Sequence, residues 1–235
     1  MTTPRARACA TVLKDGRVLL SGGAKGDFDS LDSAEFFDPA LNRFLPAGKL
    51  LHPRVGHTAS LLPNGEVLIV GGRDDHGQVL SAVEVFDPGD GASRPIDSLH
   101  VGRYKHTAAT LEDGKILIAG GSDNHDWTGQ FSSAELYDPS SQRFSSLHPM
   151  GYPRFKLPEQ SAVLPSGMVL IGGGNDKAEL FEPKTGRFLE TNGAIDGPRH
   201  YMSETLLKNG DVLLAGGYTN SDLATSQAWL FHASK

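Results

Sequence analysis

"HTAATLEDGKILIAGG", His106 to Gly121, reads as a hairpin that closes on a pair of glycines. Small residues from Thr107 to Thr110 make a first strand, and Asp113-Gly114 can supply the positive φ values of a tight two-residue turn. Ile116-Leu117-Ile118 is a solid apolar run, which suits a strand covered on both faces. The pattern recurs as VLKDGRVLLSGG from Val12, LLPNGEVLIVGG from Leu61, VLPSGMVLIGGG from Val163 and LLKNGDVLLAGG from Leu206. The turn glycines Gly16, Gly65, Gly114, Gly167 and Gly210 are spaced by 49, 49, 53 and 43 residues, and a leucine stands three positions before each. Five copies of one unit of about fifty residues follow from this register.

Each copy continues in the same way. After a loop of variable length come SAEFFDP, SAVEVFDP, SAELYDP or KAELFEP, where alternation and a terminal Asp-Pro or Glu-Pro mark a third strand and its exit turn. RFLPAGKL, SRPIDSL, RFSSLHPM and RFLETNGAI then read as fourth strands. The chain is therefore expected to be all-β, one domain of four-stranded antiparallel units at about 1–50, 51–99, 100–150, 151–195 and 196–235, the last lacking its outer strand. Composition agrees: 235 residues at 38% hydrophobic and 21% charged can bury a core, and 28 glycines with 14 prolines suit short strands joined by many turns.

The glycine pairs Gly22-Gly23, Gly71-Gly72, Gly120-Gly121, Gly173-Gly174 and Gly216-Gly217 are each followed by a third-strand aromatic: Phe37, Phe86, Tyr137, Phe181 and Phe231. In this the chain resembles the kelch repeat, in a form like the bacterial one. Phe44, Phe144 and Phe188 stand where the usual fourth-strand tryptophan would be, and the second unit has no aromatic there. The resemblance implies a β-propeller with the first strand of each blade nearest the axis. Crowding there fits the small residues Ala59-Ser60 and Ala108-Ala109.

An apolar residue stands four positions before each arginine of the series Arg54, Arg103, Arg154 and Arg199, and Met1 stands four before Arg5. The chain is thus expected to open at the end of a fourth strand. Two readings stay open: a piece of a six- or seven-bladed ring, or a five-unit ring with one three-stranded blade. The third strand at Trp229 and Phe231 presents an edge, so pairing there with another chain, or neighbouring blades missing at the termini, is expected.

Several function classes are disfavoured. A net charge of -6 with scattered Lys and Arg offers no basic stripe for nucleic acid. No apolar run approaches the ~18 residues of a membrane span and no signal-like segment is visible, so no membrane partner is expected and the compartment is left open. Cys9, the single cysteine, allows no internal disulfide and reads as a buried thiol. Some kelch-like propellers are copper oxidases of sugars, but no tyrosine motif matches Cys9, so neither metal nor other cofactor is expected.

The arginines and the loops after the glycine pairs fall at the same end of each hairpin, which makes that end the expected contact surface. Arg5, Arg54, Arg103, Arg154 and Arg199 could form a cationic mouth for carboxylates; alternatively each pairs within its blade with a third-strand glutamate, Glu35, Glu84, Glu135 or Glu179. Trp229 stands at the glutamate position of the fifth unit, which makes Arg199 the foremost ligand candidate. The loops add Asp74, His76, His125, Trp127 and Tyr218 as binding candidates. Their donors lack the spacing of an EF-hand or zinc motif, and His57 and His106 do not recur around the repeats. Trp127 could stack on a sugar or an apolar side chain. The balance favours a binding or interaction scaffold without enzymatic activity, with a protein or carbohydrate ligand of acidic character. The alternative is a carbohydrate-active propeller, a sugar mutarotase or epimerase, or a galactose-oxidase-like relative without its copper ligands, with Glu159 and Glu204 as acid-base groups.

Overall fold

The computed structural model describes residues 1–26, 29–158, 161–221 and 223–233. Glu159 lies outside the described residues. The chain divides into two compact units, Met1–Tyr104 with Asp138–Phe144, and Lys105–Tyr137 with Ser145–Lys235. All regular structure among the described residues is antiparallel sheet, and the fold class is the all-β propeller that the repeats lead one to expect.

In the first unit β1 (Cys9–Val12), β2 (Val18–Ser21), β3 (Ser33–Asp38) and β4 (Arg43–Lys49) form one sheet in chain order. β5 (Thr58–Leu61), β6 (Val67–Val70), β7 (Val83–Phe86) and β8 (Ser93–Pro95) form the next. The sheets that follow are β9 (Thr107–Thr110) to β12 (Arg143–Ser146) through β10 (Ile116–Ala119) and β11 (Ala134–Asp138), then β13 (Ala162–Val163) to β16 (Arg187–Glu190) through β14 (Val169–Ile171) and β15 (Glu179–Glu182). The last, β17 (Ser203–Leu206), β18 (Val212–Ala215) and β19 (Ala228–Phe231), has three strands.

The apolar runs behave as their composition demands: every residue of β6 and β10 is buried. Each lies under the neighbouring hairpin of its own unit, Val67 and Ile69 against Cys9, Leu19 and Phe36 in the first, Leu117 and Ala119 against Val169, Ile171 and Phe181 in the second.

The hairpin turns differ from the expected two-residue type. Only the glycine is left-handed, at φ 82° in Gly114, and the Gly114 amide donates to Leu111 O while the Leu111 amide donates to Lys115 O. This is a three-residue loop, a type I turn closed by a left-handed glycine. The residue before the glycine stays right-handed because its side chain caps the turn: Asp113 Oδ1 accepts the Lys115 amide, and Asp15, Asn64 and Asn209 do the same in their units.

The arginines lie in the crossings that precede the first strands, four residues before β1, β5, β9 and β17. Within each unit the crossings are stitched to the preceding blade through the glycine pair. Gly23 and Gly72 donate their amides to Arg54 O and Arg103 O at 2.9 Å, and Gly121 and Gly174 donate to Arg154 O and Arg199 O at 2.9 and 2.7 Å. The neighbouring glycine must lack a side chain as well: at Gly120, with φ 69°, a Cβ would stand 2.6 Å from Arg154 O.

Candidate functional site

Four of the five arginine side chains have no surface to offer. Arg5, Arg54 and Arg154 bond the third-strand glutamates of their own blades, with Nη2 to Glu35, Glu84 and Glu179 at 2.8, 2.5 and 2.8 Å and no exposed side-chain area. Their Nη1 groups donate to backbone carbonyls, Gly22 and Ser33 for Arg5, Gly71 and Ala82 for Arg54, Ile171 and Gly173 for Arg154. Arg103 is wholly buried too. The glutamates in turn collect amides from the segment leading into the crossing: Thr2 and Thr3 on Glu35, Leu51 on Glu84, Gly151 on Glu179. Burial opposes ionisation of Glu35, yet the Thr2 amide and the Arg5 guanidinium hold its carboxyl down to about 2. The Nη groups of Arg5, Arg54 and Arg154 are thus taken up from inside the blade, while their Nε atoms are buried without a hydrogen-bond partner among the described residues.

Arg199 lacks a glutamate, as the fifth unit's Trp229 implies, but is not left alone. Its Nη2 lies 2.8 Å from Asp196 Oδ1 and 3.4 Å from Gln227 Oε1, and its guanidinium stands over the Trp229 ring at 5.6 Å.

The residue two places after each arginine shares an unusual backbone. Arg7, Gly56, Lys105, Lys156 and Tyr201 all have left-handed backbones, with φ of 54°, 65°, 55°, 52° and 51°. For a side chain larger than glycine this conformation costs about 1 kcal/mol, and such strain concentrates where a side chain is being aimed. The sequence carries a signal here, because three of these five residues are basic and one is aromatic. The left-handed backbone itself is not legible, since only Gly56 advertises it.

In the second unit two of these residues, Lys156 and Tyr201, meet the loops in an aromatic cluster. Backbone bonds in both directions between His200 and Tyr218 hold their rings 5.7 Å apart. The Trp127 ring stands edge-on to Phe155 at 5.1 Å and to His200 at 4.9 Å, and Tyr201 packs on Tyr218 at 6.0 Å. The Lys156 ammonium lies among them, 4.0 Å from the Trp127 ring centre, 5.1 Å from Phe155 and 5.2 Å from Tyr218. Beside it Lys105 Nζ bonds both oxygens of Asp126 at 2.8 and 2.9 Å, and His200 Nε2–H donates to Asn220 Oδ1 at 2.7 Å. Of the loop residues that the sequence marks as binding candidates, Trp127 and Tyr218 are thus brought together. Phe155, Lys156, His200 and Tyr201 join them, although no repeated motif points to these four.

The remaining loop candidates do local work. Asp74 Oδ1 accepts the amides of His76 and Gln78 and fixes a turn in the first unit, leaving His76 at the surface. Asp123 Oδ1 accepts the His125 amide and lies 3.2 Å from His125 Nδ1. His57 is buried against Ser21 Oγ at 3.1 Å, and burial together with the Arg54 charge lowers its pKa to about 3. No cluster of metal-ligating side chains occurs among the described residues, and no helix is long and apolar enough to cross a membrane.

Glu204 is the exception on the inner strands. Its pairing register in β17 matches that of Ala10, Ala59 and Ala108, so a carboxylate replaces alanine. Room for it comes from Gly172, where a Cβ would stand 3.1 Å from Glu204 Oε2. Its two oxygens accept the amides of Ala162 and Gly172 at 3.0 and 3.1 Å. Burial raises its pKa to about 7 against the pull of those amides and of Arg154.

Kelch-motif family models match residues 53–99 and 102–151. No curated protein matches the chain. Among solved structures, one titled "Structure of YjhT" superposes with a TM-score of 0.76 at 14% identity, over 97% of this chain and 81% of that one. At that identity the likeness speaks for the fold.

Proposed function

We propose that this chain, which belongs to the kelch-repeat family, is a binding scaffold whose contact surface in the second unit is the aromatic cluster around Trp127, Tyr201 and Tyr218. One observation carries the reading: Trp127 and Tyr201 keep 41% and 40% of their surface exposed while packed on a strained, rigid base. Large rigid aromatics half open to solvent are what stacking on a sugar ring or an apolar side chain needs, at little cost in side-chain entropy. The buried arginines support this surface by fixing the crossings rather than by meeting a ligand.

The test is a glycan and peptide array probed with the native chain and with a Trp127→Ala/Tyr201→Ala variant of unchanged melting temperature. Ligands that bind the first and not the second support the surface. Signals that persist undiminished in the variant, or no signal at all, reject it.

A second reading, a sugar mutarotase, draws on Glu204, whose pKa near 7 would let it hold or release a proton. Anomer interconversion of reducing sugars, followed by NMR, no faster than in buffer rejects this reading.

A further inference from the structure

Lys156 is the anomaly of the cluster. The residue is only 7% exposed, and its ammonium has neither a carboxylate nor another hydrogen-bond acceptor among the described residues. The neighbouring acid, Asp126, gives both oxygens to Lys105. Buried ammonium groups ordinarily find a counter-charge, because desolvation without one is expensive. Three aromatic faces recover part of that cost, about 2 kcal/mol for a well-placed desolvated cation, and the Nζ, which is not closed off from solvent, keeps its N–H donors available on that side. A left-handed backbone at Lys156 holds the group where it is.

From this geometry we infer that the ligand of the aromatic surface carries a carboxylate next to a flat or apolar face, with Lys156 as its anchor. The inference rests on the contact surface proposed above. A carboxylate fits the site better than a phosphate: one ammonium walled by rings matches a single, diffuse negative charge, whereas a dianion calls for several donors or a backbone nest. The ring or side chain attached to the carboxylate would lie on Trp127 and Tyr201, which are the open faces beside the ammonium. Two sources share this chemistry, a uronic acid and the C-terminal carboxylate of a peptide ending in an aromatic residue.

The chain has two tryptophans, so a Trp229→Phe background leaves Trp127 as the fluorescent reporter. Glucuronate would be titrated against glucuronamide, and N-acetylphenylalanine against its amide, with inorganic phosphate as a third arm. At least one acid should bind more tightly than its neutral amide by about tenfold or more, the effect of a hydrogen-bonded charge, and should weaken with salt. Whichever acid prevails identifies the source. Lys156→Met, which keeps the apolar stem, should erase the preference of acid over amide without lowering the melting temperature, while Lys156→Arg should keep it.

Equal affinities for acid and amide, an unchanged preference in Lys156→Met, tighter binding of phosphate, or no saturable response to either acid overturns the inference. If the acids fail while array ligands still depend on Trp127 and Tyr201, the contact surface stands and only the carboxylate falls. If no ligand depends on those rings, both fall.

Discussion

Glu204 makes stability depend on pH in a direction opposite to that of most carboxylates. Its pKa is about 7 in the folded chain against 4.5 for the free side chain. Between those values the folded state binds more protons than the unfolded one, so unfolding free energy falls as pH rises. Below 4.5 both states are protonated and nothing is lost; above 7 the whole penalty is present. A separation of about 2.5 pKa units corresponds to about 3 kcal/mol at most, or a melting temperature lower by roughly 6 to 12 °C in a chain of this size. The charges that bear on the group are the Arg154 guanidinium and the two amide dipoles from Ala162 and Gly172, and all three favour ionisation; burial outweighs them. Other groups titrate in the same window, so the readout is a difference of differences: urea unfolding of the native chain and of Glu204→Gln, each at about pH 5 and about pH 8, on either side of the folded-state value. The native chain should lose stability between these values relative to the variant. Equal pH dependence in the two proteins would refute the reasoning, and a steeper loss in Glu204→Gln would reverse its sign.

Removing the Arg54 fork should be among the most damaging single changes. Arg54→Ala strands the buried Glu84 carboxylate and two carbonyls, at a cost of about 3 to 5 kcal/mol in urea unfolding, and Arg54→Lys should recover only part of it. Gly120→Ala sets a Cβ 2.6 Å from Arg154 O on a left-handed backbone, and should lower stability by about 2 kcal/mol or more. Cys9, buried with its thiol directed at His57 O, should not react with an aromatic disulfide reagent until urea unfolds the chain; prompt reaction in native buffer would contradict the burial. His57, with its pKa lowered to about 3, is neutral in the fold, so its contribution to stability should fade as pH drops below about 6.5 towards 3, and His57→Gln should flatten that limb of the acid titration.

The blades are legible in the sequence because their signals are local and repeated. The Gly114 turn, the apolar run of β10, the glycine pair and the Tyr137 strand follow one another within about thirty residues, and five aligned copies leave little freedom in assigning them. The turn type escapes for an equally local reason: Asp-Gly is compatible with two hairpin loops, and the choice between them lies in whether Asp113 spends its side chain on the Lys115 amide. The proposed contact surface is only half legible. Register alignment draws the eye to what recurs, and the recurring arginines recur because every blade needs the same internal clasp to Glu35, Glu84 or Glu179. The proposed contacts have the opposite signature. They are placed where the scaffold is constant and the residue is not: Lys156 and Tyr201 belong to the left-handed position that Arg7, Gly56 and Lys105 occupy in the other units, and Glu204 of the mutarotase reading stands at an inner-strand position that is alanine at Ala10, Ala59 and Ala108. In a repeat protein of this kind the recurring polar residue holds the blade together, which is why a search for ligand contacts by register alone lands on the clasp, and why the proposed contacts lie instead at positions whose residue changes from unit to unit.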